Sequence, residues 1–121
     1  MEQNGYKDLM VWKKGMDLVE IVYKITLGFP REEFLGLTKQ IRNAAVSIPS
    51  NISEDWARNS PKSFIQFLNV ARGSLSEIAT QLEIARRLKY FDSEKSQIFE
   101  IIDQLGRMLN ALIASIRRSI K

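Results

Sequence analysis

Apolar residues recur at every third or fourth position through four stretches of the chain, the spacing that lines one face of an α-helix, and short polar breaks separate the stretches. The first runs from about Asp8 to Leu27, with Asp8 placed to cap its start and Gly28 and Pro30 to stop it. Within it Lys13, Asp17, Glu20 and Lys24 form a polar stripe, flanked by Trp12, Met16, Val19 and Tyr23 on one side and Val11, Leu18, Val22 and Ile25 on the other. That apolar arc is wider than the core of one bundle requires. The second stretch begins at Pro30 or Arg31, where Glu32 and Glu33 suit the positive end of a helix dipole. Phe34, Leu37, Ile41, Ala45, Ile48 and Ile52 then keep helical phase toward an end near Arg58. Pro49 interrupts this run chemically, because an interior proline lacks a donor and crowds the carbonyl four residues back, at about 3 kcal/mol. Since the phase survives it, the pattern predicts a helix bent near Pro49; a break at Ile48, the position before the proline, is the alternative.

Ser60 caps a third helix that Pro61 opens, and Phe64, Phe67, Leu68, Ala71, Leu75, Ile78, Leu82 and Ala85 carry it to about Lys89. Asp92 or Ser93 caps a fourth, which reaches about Ser119 on Ile98, Ile101, Leu105, Met108 or Leu109, Leu112 and Ile116. Connections this short force sequence neighbours to pack together. The predicted fold is therefore all-α, an up-down-up-down antiparallel four-helix bundle that uses all 121 residues as one domain. The surplus apolar arc of the first helix, with outward-facing Ala111 and Ala114 on the fourth, points to contacts between subunits.

Composition narrows the chemistry. Hydrophobic residues at 45% and charged residues at 26% are ordinary for a globular domain, and no apolar run approaches the roughly 20 residues that span a bilayer. The first residues lack the basic start and apolar core of a signal peptide, so the expected location is the cytoplasm, with no membrane partner. With no cysteine and no histidine, thiol chemistry, imidazole acid-base catalysis and the usual transition-metal ligands are missing. No glycine-rich phosphate loop is present either. No catalytic residue, metal site or cofactor is assigned, and a non-enzymatic role is expected.

The polar residues that interrupt the apolar faces are few enough to place. If the second and third helices meet antiparallel about a corner between Asn59 and Ser60, facing residues have numbers summing to about 119. Arg42 then faces Glu77 as a register-fixing ion pair, Ala45 falls near Ser74, Thr38 falls near Gln81, and Gly73 allows close backbone approach. Ser47, Ser50, Asn51 and Ser53 are placed to repair the carbonyls that Pro49 leaves unpartnered, so Arg42, Ser47, Asn51, Glu77 and Gln81 form the expected structural polar network. A polar pocket for a small ligand or nucleotide is the other reading of the serine cluster. The net charge of +4 gathers at one end of the predicted bundle, where Lys7, Lys13, Lys14, Arg58, Lys62, Arg117, Arg118 and Lys121 meet; the other end mixes its cations with Glu32, Glu33, Asp92 and Glu94. The first end is the candidate surface for RNA or DNA, through phosphates rather than base edges, although Glu54 and Asp55 lie nearby.

Four segments carry a family resemblance: "YKDLMVWKKG", the "FP" before the second helix, "GLTKQIRNAAVSIPSNISE" and "GSLSEIATQLEIA". Together they resemble the four-helix-bundle proteins encoded in intervening sequences of 23S ribosomal RNA, over nearly the whole chain. Where that family reads Glu-Gly-x-Gly-Arg, this chain has Glu54, Asp55, Trp56, Ala57 and Arg58, so both glycines are replaced. The resemblance implies a homopentamer, and kinship with the accessory variability determinants of diversity-generating retroelements, basic bundles that bind a reverse transcriptase and nucleic acid. The expectation is an oligomeric nucleic-acid-binding bundle; a protein interaction scaffold or a reverse-transcriptase accessory subunit is the alternative.

Overall fold

The computed structural model of the protein describes residues 5–120, and of Asp8 and Lys95 the backbone alone. Helices α1 (Met10–Thr26), α2 (Leu37–Trp56), α3 (Pro61–Arg87) and α4 (Ile98–Ser119) are joined through short 3-10 turns at Gly5–Asp8, Arg31–Glu33 and Ser93–Lys95, with no strand among the described residues. The packed pairs are α1 with α2, α2 with α3, α3 with α4 and α4 with α1, as in a four-helix bundle. Leu18, Val22, Ile41, Ile48, Ile52, Leu68, Ile78, Leu82, Ile98, Leu105 and Leu109 fill its centre, each removed from water at roughly 1.5–3 kcal/mol of stabilisation.

The starts of α1, α2 and α4 differ from the pattern's expectation. The N-cap of α1 is Leu9, whose amide donates to the Tyr6 carbonyl at 3.0 Å; the expected cap, Asp8, belongs by its backbone to the preceding 3-10 turn, and its side chain lies outside the described residues. Helix α2 starts at Leu37 instead of Pro30 or Arg31, because Glu33 holds the intervening turn. Its Oε1 accepts the Leu37 amide at 3.1 Å and its Oε2 accepts the Tyr90 hydroxyl at 2.9 Å. Gly36 makes this possible, since a Cβ there would lie 3.0 Å from Glu33 Oε1. Phe34, expected in the core, is consequently outside the helix and 61% exposed. Asp92 does cap, but it caps the 3-10 turn by accepting from the Glu94 amide; α4 begins later, where Ser96 Oγ accepts the Ile98 amide at 3.1 Å. Ser60 performs as expected on α3, accepting the Ser63 amide with Pro61 as the first helical residue.

One end of the bundle is closed by aromatic side chains. Phe29 lies 5.4 Å from Tyr90 and 6.3 Å from Phe91, which in turn lies 6.4 Å from Phe99, so the connections before α2 and after α3 are pinned together. The Glu33 hydrogen bond and burial raise the Tyr90 phenol above its ordinary pKa, with the charges of Glu33 and Glu32 adding to the effect. Helix α3 ends there in a left-handed residue, Lys89 at φ 66°, with the Tyr90 amide returning to the Ala85 carbonyl at 2.9 Å. A side chain in this conformation costs about 1 kcal/mol that glycine avoids. Lys89→Gly is therefore expected to raise stability by about 1 kcal/mol, and Tyr90→Phe to lower it by about 1 kcal/mol, in chemical denaturation.

Candidate nucleic-acid interface and polar interior

Elements distant in sequence converge at the other end. Leu9 before α1, the Asp55–Pro61 corner and Leu112, Ile116 and Ser119 of α4 line one cavity, which places the cations beside these residues in one region. Lys13, Lys62, Arg117 and Arg118 are exposed there, as is Lys7 on the first turn. Lys14 is half-buried in a groove that Asp17, Glu20 and Glu100 also line. The Arg58 guanidinium covers the Phe67 ring at 5.2 Å, with its Nε 3.5 Å from Asp55 Oδ1. Lys121 lies outside the described residues.

At the aromatic end two of the cations are paired at the surface of α3. Arg86 and Arg87 both hold Glu83, at 2.6 and 3.0 Å. Their hydrogen bonds, Arg86 first, pull the Glu83 carboxyl down to a pKa of about 2. Exposed cations thus occur at both ends, Lys62, Arg117 and Arg118 at the corner end and Arg31 and Lys89 at the aromatic one.

The interior network is arranged differently from the expectation. Ser47 Oγ meets Ser74 Oγ at 3.3 Å and Gln81 Nε2 meets Gln40 Oε1 at 3.5 Å, and both pairs of numbers sum to 121. Nearer the corner Asp55 meets Ser63, a sum of 118, so the contacts fall on both sides of the expected 119. Arg42 does not pair with Glu77. It turns toward α1, where its Nε donates to the buried Thr26 hydroxyl at 2.8 Å and its guanidinium covers the Tyr23 ring at 4.5 Å. Thr26 passes the bond on by donating to the Val22 carbonyl at 2.8 Å. Glu77 instead accepts from Gln81 on its own helix. Gly73 is exposed, and a Cβ there would meet nothing within 4 Å; the close approach belongs to Gly15, whose absent side chain would meet Pro49 Cδ at 3.5 Å.

Pro49 lies inside an uninterrupted α2, with no break at Ile48. The serines around it do not repair the carbonyl it orphans, that of Ala45: Ser47 donates to Ala44 and Ser53 to Ser50. A helical hydroxyl reaches back three or four residues, so only positions 48 and 49 could reach Ala45, and these are Ile and Pro. Asn51 is half-buried and makes no side-chain hydrogen bond among the described residues. Sequence reasoning also missed the Thr26 partner, which the apolar pattern of α1 concealed, and the full burial of Asp55, which no local signal announced.

Four helices packed pairwise in a closed ring define a class of structure before they define a role. The chain belongs to the 23S rRNA-intervening sequence protein family, whose model matches residues 7–111. No curated protein matches it closely enough to count as a relative.

A double-mutant cycle on Arg42→Ala and Thr26→Val is expected to give a coupling of about 1 to 2 kcal/mol, whereas Arg42→Ala with Glu77→Ala adds within about 0.5 kcal/mol. The opposite ranking would restore the Arg42–Glu77 pair. For Glu83, the folded pKa lies below the unfolded one, so its pairing supports the fold above the ordinary glutamate range and is lost as pH falls toward 2. Carboxyl NMR should give a midpoint near 2 for Glu83, moving upward in the Arg86→Ala, Arg87→Ala variant.

Proposed function

We propose that the chain is a non-enzymatic, cytoplasmic homopentamer that holds RNA or DNA through phosphates at its basic end, using Lys13, Arg58, Lys62, Arg117 and Arg118 with a lesser part for Lys14. The observation that carries this reading is the exposure of Lys62, Arg117 and Arg118 around the shared α2–α3 corner and α4 terminus, while Arg86 and Arg87 at the far end are bound to Glu83. Five copies of a +4 chain would carry +20, enough to strengthen weak single contacts by multivalency. The absence of cysteine and histidine supports a binding rather than a catalytic role, and no helix among the described residues is long and apolar enough to cross a membrane.

The proposed arrangement within a subunit is up-down-up-down antiparallel, with α2 bent at Pro49. It is supported by the way α3 partners fall in number as α2 partners rise: Asp55 with Ser63, Ser47 with Ser74, Gln40 with Gln81. Assembly is supported by apolar side chains left outside, including Met16 and Tyr23 of the wide α1 arc and Val70 and Ile84 on α3. The same exposed residues favour the second reading, an interaction scaffold or the accessory subunit of a reverse transcriptase.

Light scattering is expected to return five subunits, and a monomer persisting at tens of micromolar would overturn the assembly. The logarithm of nucleic-acid affinity should fall linearly with the logarithm of salt, by about 0.7 to 0.9 per phosphate neutralised. Replacing Arg117 and Arg118 by alanine should flatten that slope while leaving the oligomer intact. If no RNA or DNA is retained at about 50 mM salt, the scaffold reading takes first place.

A further inference from the structure

The α2–α3 corner holds a group for which phosphate binding has no use. Asp55 is 1% exposed. Its Oδ1 accepts the Ser63 hydroxyl at 2.8 Å and faces Arg58 Nε at 3.5 Å, so both available partners act on the same oxygen. Oδ2 is buried and has no donor among the described residues. Native interiors leave few such atoms, because an acceptor taken from water without a replacement bond is costly.

Asp55 also lines the cavity of about 410 Å³ that α2, α3 and α4 enclose with the residue before α1. Leu9, Trp56, Phe64, Leu112 and Ile116 supply its apolar wall, and the Trp56 and Phe64 rings meet edge to face at 5.7 Å. A volume of this size with an apolar wall and a few polar groups, here Asn59, Ser60 and Ser119 beside Asp55, is characteristic of sites for small organic molecules. Asp55 is the one ionisable residue in the lining. A carboxylate accepts hydrogen bonds and donates none, and its charge selects cations while repelling phosphate.

We propose that this cavity binds a small organic cation, an ammonium, amidinium or guanidinium group on an aromatic or aliphatic body, with the cation donating to Asp55 Oδ2 and the body lying against Trp56, Phe64 and Leu112. The site is opposite in sign to the phosphate surface beside it, so it stands or falls independently of nucleic-acid binding.

Titration of the full-length protein with p-aminobenzamidine and with its neutral analogue p-aminobenzamide, by calorimetry and by the NMR signals of the tryptophan indoles, tests it. The amidine is expected to saturate, to move the Trp56 signal and leave that of Trp12, and to bind at least about tenfold more tightly than the amide, as a charge-assisted bond requires. Asp55→Asn should erase that preference. Leu112→Trp, which fills the cavity and keeps the carboxyl, should abolish binding even if the Asn variant does not fold. Equal affinity for the two compounds, no saturation at millimolar amidine, or full amidine affinity in Leu112→Trp would overturn the proposal.

Discussion

The seam between α1 and α2 sets the geometry of the molecule. Pro49 presents its ring to α1 where Gly15 has no side chain, with Ile48 Cγ2 and Pro49 Cδ at 3.4 and 3.5 Å from the position a Cβ would take. A Cβ at position 15 would make ordinary contact with both, so only a side chain reaching beyond Cβ would press on the seam. This close contact is anchored on both sides. Toward one end Arg42 reaches the Thr26 hydroxyl, and toward the other the chain before α1 passes over Trp56, where Gly5, at φ 55°, would bring a Cβ within 3.1 Å of the indole nitrogen. A helix-breaking residue is thus tolerated because its apolar ring is used as packing surface, and its lost hydrogen bond is set against buried contact instead of being repaired by neighbouring hydroxyls.

Charge follows a different logic at each end of the bundle. At the aromatic end, arginines four or fewer residues from Glu83 find it along their own helix, and Tyr90 finds Glu33 across the connections. At the other end the final turn of α4 carries Arg117 and Arg118 with no acid three or four residues before them, so helical neighbours cannot neutralise them. Of the two acids near it, Glu54 is exposed, whereas Asp55 is buried beneath the corner and faces Ser63. The net positive surface at this end is therefore a result of where the acids are directed as well as of how many bases are present.

The helices were legible because burial has a period, and that period survives for Ile41, Ala45, Ile48 and Ile52 despite the proline between them. Their starts were less legible. Asp8, Glu32 and Asp92 each have the right chemistry for a helix N-terminus, but a side chain such as Glu33, with one oxygen for its own backbone and another for Tyr90, makes a turn outcompete another helical turn. The polar interior was least legible. Arg42 and Glu77 are complementary in charge, yet a threonine hidden in an apolar stretch of α1 takes the arginine to a different helix. Topology places Lys62, Arg117 and Arg118 near one end and the structure leaves them exposed, while of the acids beside Lys14 Asp17 and Glu20 are legible on α1 itself and Glu100 of α4 becomes a neighbour only after folding.

The helices are also unequal in reach. Helix α1 has 17 residues and α3 has 27, so at 1.5 Å per residue α3 is longer by about 15 Å. The ten residues between Thr26 and Leu37 occupy the space that a longer α1 would fill, and they do so largely as turns. Turns have no continuous inner face, and side chains that a helix would rotate inward are left pointing out. Leu27 and Leu35 are 79% and 78% exposed as a result. The shortness of one helix, more than any single apolar residue, decides where on the subunit water meets the greasiest part of its surface.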